Sequence, residues 1–197
     1  MEEDVGLLGR VRGLPWTWIL IGIMIGVVLG VMVTNTARLN VCPLKNCVNE
    51  AEIIPVSDRG YFQQAIEVLE GAQESIHIVT FELKYYPNYP DSSQNRIIEA
   101  LIDAKKRGVD VRIVVDDYSK ENNAFGILEE NGVEVRMDPD DVTTHAKLII
   151  VDGETVMIGS TNFSYYGLEK NNEANLIVKS RKAADYYEAY FERLWRG

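Results

Sequence analysis

Leu14 to Val33 is a run of 20 residues without a charge. At about 1.5 Å rise per residue, a helix of that length reaches about 30 Å, the thickness of a bilayer's hydrocarbon core. The alternative is a buried core helix. A chain of 197 residues is long enough for one ordinary domain, but a helix apolar on every face fits poorly into a domain that small. Pro15 suits a first helical turn, and Trp16 and Trp18 suit a membrane interface. A cleaved signal peptide would have a shorter apolar core ending at a small-residue site. Here the exit reads Thr34-Asn35-Thr36-Ala37. The expectation is a tail over 1–13 and an uncleaved transmembrane signal anchor over 14–33.

Charge leaves the orientation of that anchor balanced, with Arg10 and Arg12 before it and Arg38 and Lys45 after it. A short N-terminal tail usually stays in the cytoplasm, which places the rest of the chain outside it. Cys42 and Cys47 lean the same way, since a pair so close together can form a disulfide in an oxidising compartment. Two free thiols in a reducing cytosol are the other reading, and no nearby His or further Cys completes a metal site. Gly22, Gly26 and Gly30 recur every four residues on one face of the span. That face permits close helix pairing, although glycine is also simply common in membrane helices.

Residues 34–56 read as a linker, and 57–197 as one domain in which strand and helix patterns alternate. Asp58 can cap a helix ending near Gly71. Strand patterns cover Ile76–Phe81, Val109–Val115, Val133–Met137, His145–Val151, Thr155–Gly159 and Ala174–Val178. The fifth of these follows a hairpin turn at Asp152-Gly153. Helical patterns cover Ser93–Arg107, a stretch from Ser119 to near Asn131, and Ala183–Trp195. This predicts an α/β fold, a mixed β-sheet flanked by helices. No internal repeat is present.

The densest polar grouping lies between Thr143 and Asn175. On a strand, His145 and Lys147 share a face. Gly159-Ser160-Thr161-Asn162 follows the hairpin's return strand and can come back beside them. An ammonium, an amide and a hydroxyl gathered around an imidazole make a phosphate site: Lys147, Asn162 and Ser160 bind oxygens, and His145 is a nucleophile or proton carrier. Glu173 opens a later strand and can orient a histidine.

This segment resembles the signature of the phospholipase D superfamily, H-x-K-x(4)-D followed by G-S-x-N. His145, Lys147, Asp152, Gly159, Ser160 and Asn162 match it position by position, and Glu173 matches the family's later glutamate. The resemblance spans roughly Val56 to Trp195. The family works through two such motifs that meet across a pseudo-two-fold axis, and this chain carries one. Short members with one motif, the bacterial Nuc-type endonucleases and the mitochondrial-type phospholipase D proteins, form homodimers with a shared site. The resemblance therefore implies a homodimer, no cofactor and no metal. It also implies a phosphohistidine mechanism, with His145, Lys147 and Glu173 catalytic and Lys147, Ser160 and Asn162 on the phosphate. Asp152 and Gly159 would be structural members of the motif.

Other residues compete less well. His77, mid-strand between Ile76 and Ile78, reads as structural or exposed. Asp116-Asp117 read as turn or cap residues rather than metal ligands. Tyr85, Tyr86 and Tyr89 either line a substrate rim, where they can stack on bases, or pack a loop. Lys105-Lys106-Arg107 read as a solvated helix end.

Three functions follow in order. The first is a membrane-anchored phosphodiesterase on DNA or RNA, the second a phospholipase D on a membrane phospholipid such as cardiolipin, and the third a non-catalytic anchored binding dimer. The net charge of -10 opposes bulk coating of nucleic acid. The first 38 residues carry three arginines and three acids, so all of that charge lies beyond them. Any polyanion must then be held mainly at a local site.

Overall fold

The computed structural model describes residues 16, 18, 20–27, 51–117, 124–138 and 142–197. They belong to two units, Met1–Cys47 and Val48–Gly197. In the first, residues 20–27 are helical and exposed, and nothing lies within 4 Å of a Cβ placed on Gly22 or Gly26. Among the described residues no helix is long and apolar enough to cross a membrane. The remainder of the expected span, Gly30, Cys42 and Cys47 lie outside them.

The second unit is built on a seven-stranded sheet. In chain order its elements are β1 (Glu52–Ser57), α1 (Gly60–Gly71), β2 (Ser75–Thr80), α2 (Ser93–Lys106), β3 (Asp110–Val115), α3 (Ala124–Glu130), β4 (Glu134–Met137), β5 (Lys147–Val151), β6 (Thr155–Gly159), a π-helical turn (Tyr166–Lys170), β7 (Ala174–Lys179) and α4 (Arg181–Arg196). The strand order is β1-β7-β6-β5-β2-β3-β4. β2, β3 and β4 run parallel, linked by helices, while β1, β7, β6 and β5 pair antiparallel and join β2 antiparallel.

Alternation along the strands sorts the core into two layers. Ile76, Ile78, Val111, Ile113, Ile149 and Val151 face α1 and α2, packing with Leu69, Ile97 and Leu101. Val79, Val114, Leu148, Ile150 and Val156 face α4, packing with Phe191 and Trp195. Every residue of β5 is buried, because helices cover both faces of this central strand.

Two expectations need correction. The C-terminal part of the expected linker is strand β1. Only Val56 of its six residues is buried, and Pro55 lacks an amide proton, so no clear alternation marks it. Both features are tolerated because β1 is an edge strand pairing only with β7. Asp58 does not cap α1: the helix begins at Gly60 without a side-chain cap. Asp58 takes φ 51° and its Oδ1 accepts the Glu173 amide at 2.9 Å instead.

The hairpin turn is as expected. Asp152 and Gly153 both have positive φ and form the centre of the three-residue connection, closed by the Glu154 amide donating to the Val151 carbonyl at 3.0 Å. The Asp152 carboxylate accepts the amides of Gln73, Glu74 and Ser75, which fixes the entry into β2. His77 is structural: its ring stacks on Phe191 at 4.5 Å and its Nδ1 pairs with Glu188 at 2.7 Å, on the α4 face. Arg107 donates to the carbonyls of Leu69 and Glu70, closing the end of α1.

Candidate active site

His145, Lys147, Gly159, Ser160, Asn162 and Glu173 gather at one end of the sheet, around the start of β5, the end of β6 and the start of β7, whereas Asp152 lies at the opposite end, in the turn after β5. The C-terminal ends of β2 and β3 lie at the same end. Strand order reverses beside β2, with β3 and β4 on one side of it and β5 on the other, and such a switch point is where α/β sheets usually open a ligand crevice.

His145 precedes β5 rather than lying within it. The preceding loop is held by Asp116, whose Oδ2 accepts the Thr144 amide at 2.6 Å. This is a backbone-fixing role of the kind expected of a strand-end aspartate. The His145 side chain is exposed, and its ring lies against Phe81 with centroids 4.7 Å apart. Among the described residues no hydrogen bond engages that ring. Its nitrogens are therefore open to solvent and to a substrate.

Lys147 begins β5, opposite Thr80 of β2, and is 7% exposed. Its Nζ donates to the His145 carbonyl oxygen at 2.8 Å and lies 5.1 Å from the centre of the Phe81 ring. Burial pushes the ammonium below the ordinary lysine value of 10.5, against the opposing pull of Glu82, Glu173 and Asp116. A lysine in this state gives up its proton at lower pH than a free one, whereas oxyanion binding needs the cation. Loss of this proton is thus expected to add an alkaline limb to the kcat/KM profile of the free enzyme below the ordinary lysine range, apart from any limb set by His145. The kcat limb is expected at higher pH, because a bound phosphate favours the ammonium. A pH–rate series on a simple diester measures both limbs.

The G-S-x-N segment is shaped by β7. Gly159 stands opposite Asn175 in the β6–β7 register. A Cβ on Gly159 would overlap Asn175 Oδ1 and the Ala174 carbonyl oxygen. The space is needed because Asn175 Oδ1 accepts the amides of Ser160 and Thr161, at 3.2 and 3.3 Å, while its Nδ2 donates to Thr161 Oγ1 at 2.9 Å. Glycine is thus required by close approach rather than by its φ. Gly159→Ala is expected to cost about 1–3 kcal/mol by overpacking and to displace Ser160. Urea unfolding and a diester assay on the same variant read both effects.

Ser160 donates its hydroxyl to Glu173 Oε2 and accepts the Ala174 amide at 3.1 Å. Glu173 Oε1 accepts from Asn171 Nδ2 at 3.0 Å. Both carboxylate oxygens of Glu173 are thus engaged, and among the described hydrogen bonds none joins it to His145 of the same subunit. Asn162 follows in the loop, its Oδ1 buried with no partner among the described residues. Gly167 packs so closely on the Asn162 backbone that a Cβ there would overlap the Asn162 carbonyl oxygen.

Sequence reasoning missed three contributors. Phe81 supports both His145 and Lys147, yet it reads as the last residue of an apolar strand. Asn175 positions the Ser160 turn. Its only sequence signal is a place two residues after Glu173, on the same strand face. Asp58 holds Glu173 across more than a hundred residues of chain, and nothing local announces that.

Comparison with known proteins identifies the family. A family model described as "Cardiolipin synthase, PLD-like domain" matches residues 65–195. The chain is 30% identical over 155 residues to the mitochondrial cardiolipin hydrolase of Xenopus laevis, covering 78% of this chain and 68% of that protein. It is also 30% identical over 131 residues to a phospholipase D of Rickettsia prowazekii, covering 65% of this chain and 60% of that protein. Among solved structures, the phospholipase D family member Nuc from Salmonella typhimurium superposes with a TM-score of 0.65 at 27% identity, over 75% of this chain and 95% of that one. With the family match covering most of the sheet and both parts of the motif, the chain belongs to the phospholipase D superfamily, as a short, single-motif phosphodiesterase.

Proposed function

We propose that this phosphodiesterase is a membrane-anchored endonuclease whose site is shared by two copies of the chain. The observation that carries the reading is His145: an exposed imidazole seated on Phe81 beside a buried ammonium. In this mechanism His145 of one subunit attacks phosphorus, forming a P–N bond as the P–O bond to the leaving group breaks. The partner subunit's His145 gives its proton to the leaving oxygen, then takes one from water, which attacks phosphorus and releases the first imidazole. Lys147 and Asn162 hold the nonbridging oxygens as their charge grows, and Ser160 joins them when its hydroxyl proton turns from Glu173 Oε2 to the substrate. Glu173 stabilises the Ser160 turn within its own subunit, and its carboxylate is the group that orients an imidazole once two subunits meet.

A homodimer is required because one motif supplies one imidazole. An apolar strip borders Gly159, where Pro55, Ile158 and Leu176 align across β1, β7 and β6, with Leu176 41% exposed. We assign this strip to the second copy. The apolar run from Leu14 to Val33 would tether the dimer to a membrane, with the catalytic domain on the extracytoplasmic side.

The relatives named for cardiolipin hydrolysis and phospholipase D activity favour a second reading, cleavage of membrane phospholipid. A substrate panel decides between them. The full chain is assayed on single- and double-stranded DNA, RNA and cardiolipin-containing vesicles, with and without a chelator. Chelator-insensitive cleavage of nucleic acid is the expected result. Cleavage of lipid alone would make the protein a phospholipase, and loss of activity to the chelator would contradict the metal-free mechanism.

A further inference from the structure

Two segments leave the active site side by side. One runs from Phe81 to Tyr86, the other from Asn162 to Tyr165. They are joined by a bridge between Leu83 and Phe163, by the Lys84 amide donating to the Phe163 carbonyl at 3.0 Å, and by the Tyr165 amide reaching Tyr86 Oη at 3.4 Å. Beyond them lies a cavity of about 470 Å³ lined by Tyr86, Tyr89, Ser92, Gln94, Tyr165 and Tyr166. That volume is typical of small-ligand sites.

Gln94 is the anomaly in that wall. It is 1% exposed, and both its amide oxygen and its amide nitrogen are buried without a hydrogen-bond partner among the described residues. Its neighbour Asn95 is equally buried, yet it bonds the Tyr86 amide and the carbonyls of Tyr86 and Tyr89. The loop is therefore already fixed by Asn95, and Gln94 is not needed to hold it. Buried amides are almost always paired, so an amide left unpaired in a cavity wall calls for a partner that the described residues do not supply. Three of the tyrosines around it are exposed: Tyr89 is 69% exposed, Tyr166 68% and Tyr165 43%.

We propose that this cavity holds one nucleobase of a single-stranded substrate, next to the scissile phosphate. The inference rests on the nuclease reading and deepens it. A base has π-faces that stack on tyrosine without regard to sequence. Its edge pairs a donor with an acceptor, which an amide can meet with both of its groups. A lipid tail offers the amide nothing. A lipid phosphate would seek a cation; none of the described lining residues is charged, and the nearby Lys170 ammonium is held over the Tyr165 ring, 5.3 Å from its centre. A choline headgroup suits tyrosine faces but leaves the amide unpaired.

The test uses the full chain carrying His145→Ala, so that binding is read without cleavage. Fluorescein-labelled single-stranded oligonucleotides, made abasic at one position at a time, are titrated by anisotropy. The proposal expects one position at which loss of the base raises Kd by about tenfold. That penalty is expected to disappear when Gln94→Leu or Tyr166→Ala is added, each variant being checked for an unchanged thermal melt. No penalised position, or a penalty that persists in both variants, overturns it. Wild-type cleavage of the same oligonucleotides separates the two claims. Cleavage with no abasic penalty removes the base pocket and leaves the nuclease reading intact. Binding and cleavage of cardiolipin or phosphatidylcholine vesicles, with no response to oligonucleotides, removes both.

Discussion

Replacing His145 with alanine is expected to lower diester turnover by about 10⁴- to 10⁶-fold, the scale on which removing a covalent nucleophile acts. The protein is expected to remain folded. His145 is exposed and makes no hydrogen bond through its ring among the described residues, and its one ring contact is with Phe81. The carbonyl that Lys147 uses is backbone and survives the substitution. Turnover of bis(p-nitrophenyl) phosphate, followed beside a thermal melt, checks both halves. Activity within tenfold of wild type would remove His145 from the nucleophile's role. A collapsed melt would show that its contact with Phe81 carries the local fold.

Lys147→Met is expected to separate activity from stability, which Gly159→Ala lowers together. The ammonium is desolvated, held by one backbone carbonyl and the face of Phe81. Methionine keeps most of the stem and removes a charge that burial disfavours, so stability is expected to change by less than about 1 kcal/mol. Turnover is expected to fall by about 10²- to 10³-fold, the usual loss when a group that meets developing oxyanion charge is removed. Lys147→Arg is not a rescue. A planar guanidinium cannot occupy the narrow space between Phe81 and the His145 carbonyl as a point cation does. Urea unfolding with diester kinetics tests the pair of effects.

What the sequence made legible was the part written in local order. Short apolar, β-branched runs marked β2, β3, β5 and β7, and the Asp152-Gly153 pair marked the hairpin. The spacing from His145 through Asn162 marked the site, because residues on neighbouring antiparallel strands return to one another. What it hid was written in long-range contacts. β1 follows no clear period because its neighbour β7 comes more than a hundred residues later and its outer edge is open. Asp58 resembled a helix cap because only the folded chain reveals Glu173 as its partner. Phe81 and Gln94 are an apolar and a polar residue of unremarkable sequence context. One acquires its role from His145 and Lys147, the other from the cavity that it is left facing. Gly159 is intermediate: the motif marks it, but the reason for it, the Asn175 amide in the space of its Cβ, is visible only in three dimensions.

The central claim is that two copies of one motif make one catalytic site, and subunit mixing tests it most directly. Wild-type full chain is exchanged with increasing amounts of His145→Ala chain at constant total protein, and cleavage of a simple diester is measured. A mixed dimer keeps one imidazole and lacks either the nucleophile or the acid, a loss of at least about 10²-fold. The account predicts that total activity falls with the square of the wild-type fraction. Activity that falls only in direct proportion to that fraction would mean that each chain works alone, and would contradict it.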